Sequence, residues 1–204
     1  SMIANMKTML ATILDNHVLP DKKIHILEIG AGNGDGTTKY LYDYLNNISA
    51  DFKIYSYEGV NAPFRNASQY WKNIDNVEII NKFFCDKKDV YNYVMPNIVS
   101  DPEILQLTKE HYYKEYNEFL KNTNFENSIN YKPDIILIDS TRFCHAAIIA
   151  KCINFCNNET LFIVEDDFGS YGEEHILKKY FNLKNLSRYN GNIMNVWNFL
   201  TFNL

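Results

Sequence analysis

Ile24-His25-Ile26-Leu27-Glu28-Ile29-Gly30-Ala31-Gly32-Asn33-Gly34-Asp35-Gly36-Thr37-Thr38-Lys39-Tyr40 is the stretch from which the fold is read. Its first six positions are apolar apart from His25 and Glu28, as a central parallel strand buried on both faces requires. Four glycines follow at alternate positions. Beyond them, Tyr40, Leu41, Tyr44 and Leu45 recur at helical spacing, which predicts a helix over Gly36 to Leu45. A strand that passes through glycines into a helix brings backbone close to a small anionic or nucleotide-like ligand, because no Cβ stands in the way.

The glycine register narrows that ligand. The dinucleotide fingerprint is Gly-x-Gly-x-x-Gly. Counted from Gly30 its third glycine falls on Asp35, and counted from Gly32 it falls on Thr37. An aspartate in the turn also repels a pyrophosphate, which weighs against a nicotinamide-dependent oxidoreductase. No Gly-Lys-Ser/Thr follows, so the phosphate loop of nucleoside triphosphatases is excluded.

Outward from this stretch, strands alternate with helices. Ile3 to Leu14 carries a helical stripe of Ile3, Met6, Met9, Leu10, Ile13 and Leu14, which suits a helix packed on the sheet edge or a cover over the ligand site. Strands are predicted at Lys53 to Tyr57, Val77 to Phe84, Asp134 to Asp139 and Thr160 to Glu165. Helices are predicted at Pro63 to Trp71, with proline in the first turn, and at Arg142 to Phe155. Asp101-Pro102-Glu103 opens another helix, running to about Lys121, whose Tyr-rich side is a dimer face or a substrate lid. The capping box Ser170 to Glu173 starts one to about Phe181. Leu183 to Phe202 reads as two strands joined at Asn190-Gly191. This alternation predicts an α/β protein with a parallel sheet, helices on both faces and an antiparallel edge.

The chain has 204 residues, 46% hydrophobic and 22% charged, the size and composition of one globular domain. Residues 1–204 are read as that domain, with 1–20 an N-terminal helix and 97–130 a helical insertion between the third and fourth strands. A net charge of −5 argues against general binding of nucleic acid or anionic membranes. No apolar run approaches the roughly 20 residues that span a bilayer. The N-terminus lacks a basic region followed by an apolar stretch, so a cytoplasmic location is expected. Cys85, Cys144, Cys152 and Cys156 include no Cys-x-x-Cys pair and are expected to be free core thiols in a reducing compartment.

Glu28-x-Gly30-x-Gly32-x-Gly34 resembles the first motif of class I S-adenosylmethionine-dependent methyltransferases. The resemblance implies a Rossmann-like, doubly wound, mostly parallel seven-stranded sheet with an antiparallel last strand. It also implies S-adenosyl-L-methionine as cofactor. Glu28 would then face the amino group and sulfonium. Gly30, Gly32, Asn33, Gly34 and Thr37 would approach the amino-acid part. Glu58, at the end of the second strand, can accept two hydrogen bonds from a ribose diol. Phe84, Cys85 and Asp86 would lie near the adenine, with a helix cap the alternative for Asp86.

Ligands of open α/β sheets bind outside the carboxyl ends of the strands. Asp139 ends the fourth predicted strand, and Asp166-Asp167 leave the fifth. Three converging carboxylates repel unless neutralised, and a hard divalent cation, Mg²⁺ or Ca²⁺, is the simplest partner. The alternative is that Asp166 and Asp167 only terminate the strand. Asp139 with Ile163 to Phe168 resembles the metal-dependent O-methyltransferases, in particular macrocin-O-methyltransferase-like sugar enzymes and their catechol-type relatives. That implies methyl transfer to the hydroxyl of a small acceptor such as a sugar, with Asp139 beside both cofactor and metal. His145 is a candidate base, Arg142 a candidate to offset the acids or hold an anionic group, and His175 a weaker alternative. Where such enzymes often carry Asp-Gly, this chain has Asp139-Ser140-Thr141-Arg142. A metal-independent transferase acting on nitrogen or carboxylate, and a cofactor-binding protein without transfer, remain open. So does a homodimer.

Overall fold

The structure is a computed structural model. It describes residues 2–15, 21–89, 119–121, 123–126, 128–140, 142–157, 159–165, 181–189 and 192–199, with backbone alone for 2–7, 9, 142, 143, 145, 146, 165, 181–189 and 192–199. In chain order the elements are α1 (Met2–Asp15), β1 (Ile24–Ile29), α2 (Thr37–Asn47), β2 (Phe52–Tyr57), α3 (Asn61–Trp71), β3 (Val77–Ile80), β4 (Ile135–Ile138), α4 (Arg142–Cys152), β5 (Leu161–Glu165), β6 (Phe181–Tyr189) and β7 (Asn192–Phe199).

One seven-stranded sheet runs in the order β3-β2-β1-β4-β5-β7-β6. β1 to β5 pair in parallel. β7 runs antiparallel to both β5 and β6, the antiparallel last strand expected from the sequence. β1 is central: Ile26 stands opposite Ile54 on one side and Ile135 on the other. Because β2 and β4 leave β1 in opposite directions, the crevice beyond its carboxyl end is where an open α/β sheet takes a ligand.

Side chains alternate between two cores, as the two-residue period of a strand dictates. Ile24, Ile26, Ile135, Leu137, Leu161 and Ile163 face α2 and α3, meeting Leu41, Leu45 and Trp71. Leu27, Ile29, Ile136, Ile138, Phe162 and Val164 face α4, meeting Ile148, Ile149 and Cys152. Each fully buried aliphatic side chain contributes about 1.5–3 kcal/mol of transfer free energy. This double burial is why the strands are continuous apolar runs.

α1 forms as expected. Leu10 and Leu14 are buried in the core of the α2 face. Among the described residues, none of α1 lines the cavity described below.

β3 ends at Ile80, short of the predicted Phe84. The side-chain amide of Asn81 donates to the Glu58 carbonyl at 2.9 Å. Phe83 then pairs with a returning segment: its N–H donates to the Asn124 carbonyl at 3.1 Å, and the Glu126 N–H donates to its carbonyl at 2.8 Å. A non-local partner thus takes over what local pattern assigns to the strand. α4 ends at Cys152 and tightens into a 3₁₀ turn, Ile153–Phe155. The predicted helix start at Asp101, the Ser170 to Glu173 capping box and the Asn190-Gly191 turn lie outside the described residues, although β6 and β7 flank that turn as expected.

Candidate functional site

Beyond the carboxyl ends of β1, β2 and β4 lies a cavity of about 380 Å³. The glycine turn forms one side. Gly30 has φ +106°, and a Cβ there would stand 1.8 Å from the Asp139 carbonyl oxygen. That closeness follows from the ladder: the Asp139 N–H donates to the Ile29 carbonyl at 2.9 Å, and the N–H groups of Gly30 and Ala31 donate to the Tyr57 carbonyl at 2.9 and 3.1 Å. Gly34 (φ +78°) is a packing glycine. A Cβ there would meet Trp71 Nε1 at 2.8 Å, and its carbonyl accepts the Trp71 indole N–H at 2.8 Å. Gly32 differs from both. Its φ is +54°, nothing lies within 4 Å of where its Cβ would be, and it lines the cavity. Gly36 occupies the N-cap of α2 without a side-chain cap, leaving the first amides of that helix beside the cavity with Thr37.

Glu58 holds the turns after β1 and β2 together. Its Oε2 accepts the Gly32 N–H at 2.9 Å and its Oε1 accepts the Val60 N–H at 2.8 Å. A carboxylate accepts hydrogen bonds at about four positions, the chemistry that a diol calls for. Asn33 lines the cavity from an exposed position, its Oδ1 accepting from Asn66 of α3 at 3.0 Å.

Glu28 is placed differently from the role implied by the resemblance. It is fully buried on the α2 face and is not among the residues that line the cavity. Its Oε2 accepts hydroxyl hydrogens from Thr38 at 2.7 Å and Ser56 at 2.5 Å. Its Oε1 is buried without a hydrogen-bond partner among the described residues. Burial pushes its carboxyl up to about 7, the Asp139 and Glu58 charges push the same way, and the two hydroxyls pull back. Asp86 adopts its alternative role: its Oδ1 accepts the N–H groups of Lys88 at 2.8 Å and Asp89 at 2.9 Å, capping a helical turn outside the cavity lining.

The opposite wall comes from Phe83, Phe84, Cys85, Cys144 and Ile148. None of the four cysteines forms a disulfide. Contact with Cys144 and burial raise the Cys85 thiol well above its ordinary range, and burial pushes Cys156 up to about 12. These thiols stay protonated and serve as apolar surface. Lys82, which sequence reasoning missed, lines the cavity and pairs with Glu126 at 3.0 Å. Glu126 also accepts the Tyr57 hydroxyl at 3.2 Å, tying the returning segment to the cavity wall. A lysine after an edge strand gives no local sign of such a place.

Asp139 and Ser140 complete the rim. Arg142 and His145 lie on α4, where their backbone alone is described. Asp166, Asp167 and His175 lie outside the described residues, so Asp139 is the one member of the expected carboxylate triad that can be placed. Among the described residues no cluster of three His, Cys, Asp or Glu side chains is set to hold a metal, and no helix is long and apolar enough to cross a membrane.

Solved structures share this fold. The ribosomal protein L11 methylase of Lactobacillus delbrueckii subsp. bulgaricus aligns over 95% of this chain and 79% of its own, with TM-score 0.57 and 12% identity. The N-methyltransferase NodS of Bradyrhizobium japonicum aligns over 96% and 95%, with TM-score 0.56 and 10% identity. A mutant of MtNAS in complex with S-adenosylmethionine aligns over 98% and 62%, with TM-score 0.54 and 9% identity. No family model matches the sequence, and comparison with curated proteins returns no match. The fold is thus the Rossmann-like α/β fold of class I methyltransferases. Likeness at these identities is likeness of fold.

Proposed function

We propose that the protein is an S-adenosylmethionine-dependent methyltransferase and that the 380 Å³ cavity holds the cofactor. The observation that carries this reading is Gly32, open to the cavity and hydrogen-bonded to Glu58. Backbone approach and a diol-accepting carboxylate are thereby built into one rim. Gly30 to Gly34 and Thr37 would border the amino-acid part, Glu58 the ribose, and Phe84 with Cys85 the adenine. Glu28 supports the turn from beneath. When bound, the cofactor supplies a methyl group activated by its sulfonium.

The acceptor side lies at Asp139 and the start of α4. We assign O-methylation of a small hydroxylated molecule, such as a sugar, to this side. Asp139, Asp166 and Asp167 would hold Mg²⁺ or Ca²⁺, which lowers the pKa of a bound hydroxyl. His145 or Arg142 would serve as base or charge partner. Asp139 suits a hard cation in donor chemistry. The competing reading, metal-independent transfer to nitrogen, finds support in the likeness to an N-methyltransferase. A cytoplasmic location belongs to this proposal as well.

Titration calorimetry with S-adenosylhomocysteine tests the cofactor assignment. The wild type should bind and Glu58→Ala should lose the signal, whereas no binding to wild type overturns the assignment. Mg²⁺ titration of wild type and Asp166→Asn separates the two acceptor chemistries, because equal affinity in both removes the metal site.

A further inference from the structure

A second cavity of about 630 Å³ opens beside the first. Gly59, Val60 and Phe83 border both. A Cβ on Gly59 would stand 2.4 Å from the Phe83 ring, so glycine lets that ring close the partition. Among the described residues, the charge of the second cavity's lining is opposite to that of the chain. Arg65, from the first turns of α3, and Lys121, from the returning segment, both line it. Both are exposed, and among the described residues neither takes part in an ion pair or a hydrogen bond. No Asp or Glu lines the cavity among the described residues. Elsewhere among the described residues, Lys22, Lys23, Lys39, Lys53 and Lys82 each have a carboxylate partner. Two unpaired cations thus face one concavity in a chain of net charge −5.

We propose that this second cavity binds a phosphate-bearing anion. Arg65 offers a planar fork that matches two phosphate oxygens, and Lys121 offers a point charge from the opposite segment. The uncapped first amides of α3, at Asn61 and Ala62, add partial positive charge to the same space. The volume exceeds that of a single phosphate ion and accommodates pyrophosphate or a nucleotide. Glu58 faces the first cavity and does not line the second, so the anion is separate from the ligand read by Glu58. The proposal does not rest on the methyltransferase assignment, because the anion binds without cofactor.

Calorimetric titration with pyrophosphate at low ionic strength, with inorganic phosphate and AMP as further probes, tests it. The wild type should show one saturable pyrophosphate site. Arg65→Ala and Lys121→Ala should each weaken it by about tenfold or more, the loss expected for a charge-assisted hydrogen bond. Lys72→Ala, at the other end of α3, should leave the affinity unchanged and so separates the cavity from net charge. Both cavity side chains are exposed, so the variants should keep the wild-type melting temperature. AMP binding more tightly than phosphate would place the anion on a nucleoside, and equal affinity would identify a free anion. No saturable pyrophosphate binding to wild type, or an equal loss in Lys72→Ala, overturns the proposal.

Discussion

Gly30, Gly32 and Gly34 look alike in the sequence and differ in what a methyl group would meet at each. At Gly30 it would overlap the Asp139 carbonyl at 1.8 Å, at Gly34 it would press on Trp71, and at Gly32 it would enter open space. Gly30→Ala should therefore destabilise beyond the ~1–3 kcal/mol of ordinary overpacking, since backbone cannot yield as a side chain does. Gly32→Ala should cost only the left-handed penalty of about 1–2 kcal/mol, yet it places a Cβ in the cavity. The expected outcome is a folded Gly32→Ala protein with weakened S-adenosylhomocysteine binding, and a Gly30→Ala protein that fails to fold. Thermal melts and calorimetry of the pair check it. The motif was legible as a set, but its division of labour was not, because it depends on Asp139 and Trp71, distant in sequence. Glu28 illustrates the same limit. Its carboxyl has an ordinary pKa of 4.5 and is pushed up to about 7 by burial. The folded state retains the proton across that interval, so stability should fall as pH rises from about 4.5 to about 7, by on the order of 3 kcal/mol. Glu28→Gln mimics the protonated form. It should match wild type at pH 5 and exceed it at pH 8 in denaturant midpoint. A gap of the same size at both pH values would contradict the buried charge.

The central strands were readable because they are buried on both faces, so composition alone marked them. β3 is shorter than the pattern predicts because Phe83 and Phe84 read as strand residues, while the backbone partners of Phe83 are Asn124 and Glu126. No local pattern reports such a pairing. α3 was readable from its first-turn proline, but its connection to the glycine turn was not. That connection is made by hydrogen bonds from the Trp71 indole N–H to the Gly34 carbonyl and from the Asn66 side-chain amide to Asn33 Oδ1. Trp71→Phe preserves the ring and removes the donor, leaving a buried carbonyl unsatisfied. It should lower stability by about 1–3 kcal/mol at unchanged denaturant m-value.

Across the whole molecule, the alternation of strands and helices implied a parallel sheet, and the resemblance supplied its seven strands and reversed end. The strand order 3-2-1-4-5-7-6 places the ligand crevice beyond β1. Carboxylates follow β2 and β4, the two strands that flank β1, and these, Glu58 and Asp139, line the cavity. A ligand that binds only the folded chain adds about 2.7 kcal/mol at a hundred times its Kd, so the expected S-adenosylhomocysteine binding should also appear as a higher melting temperature. The acceptor was less legible, because the residues that would recognise it fall in the least regular stretches of the pattern.

The stitch at Phe83 has a consequence of another kind. The Phe119 ring lies 5.1 Å from that of Phe83. Phe125 sits 5.5 Å from Phe119, and two backbone hydrogen bonds fasten the return. The stitch joins Phe83 to Asn124 and Glu126, far apart in sequence, so this wall of the cavity is a contact of high order that forms only once a long span of chain has closed during folding.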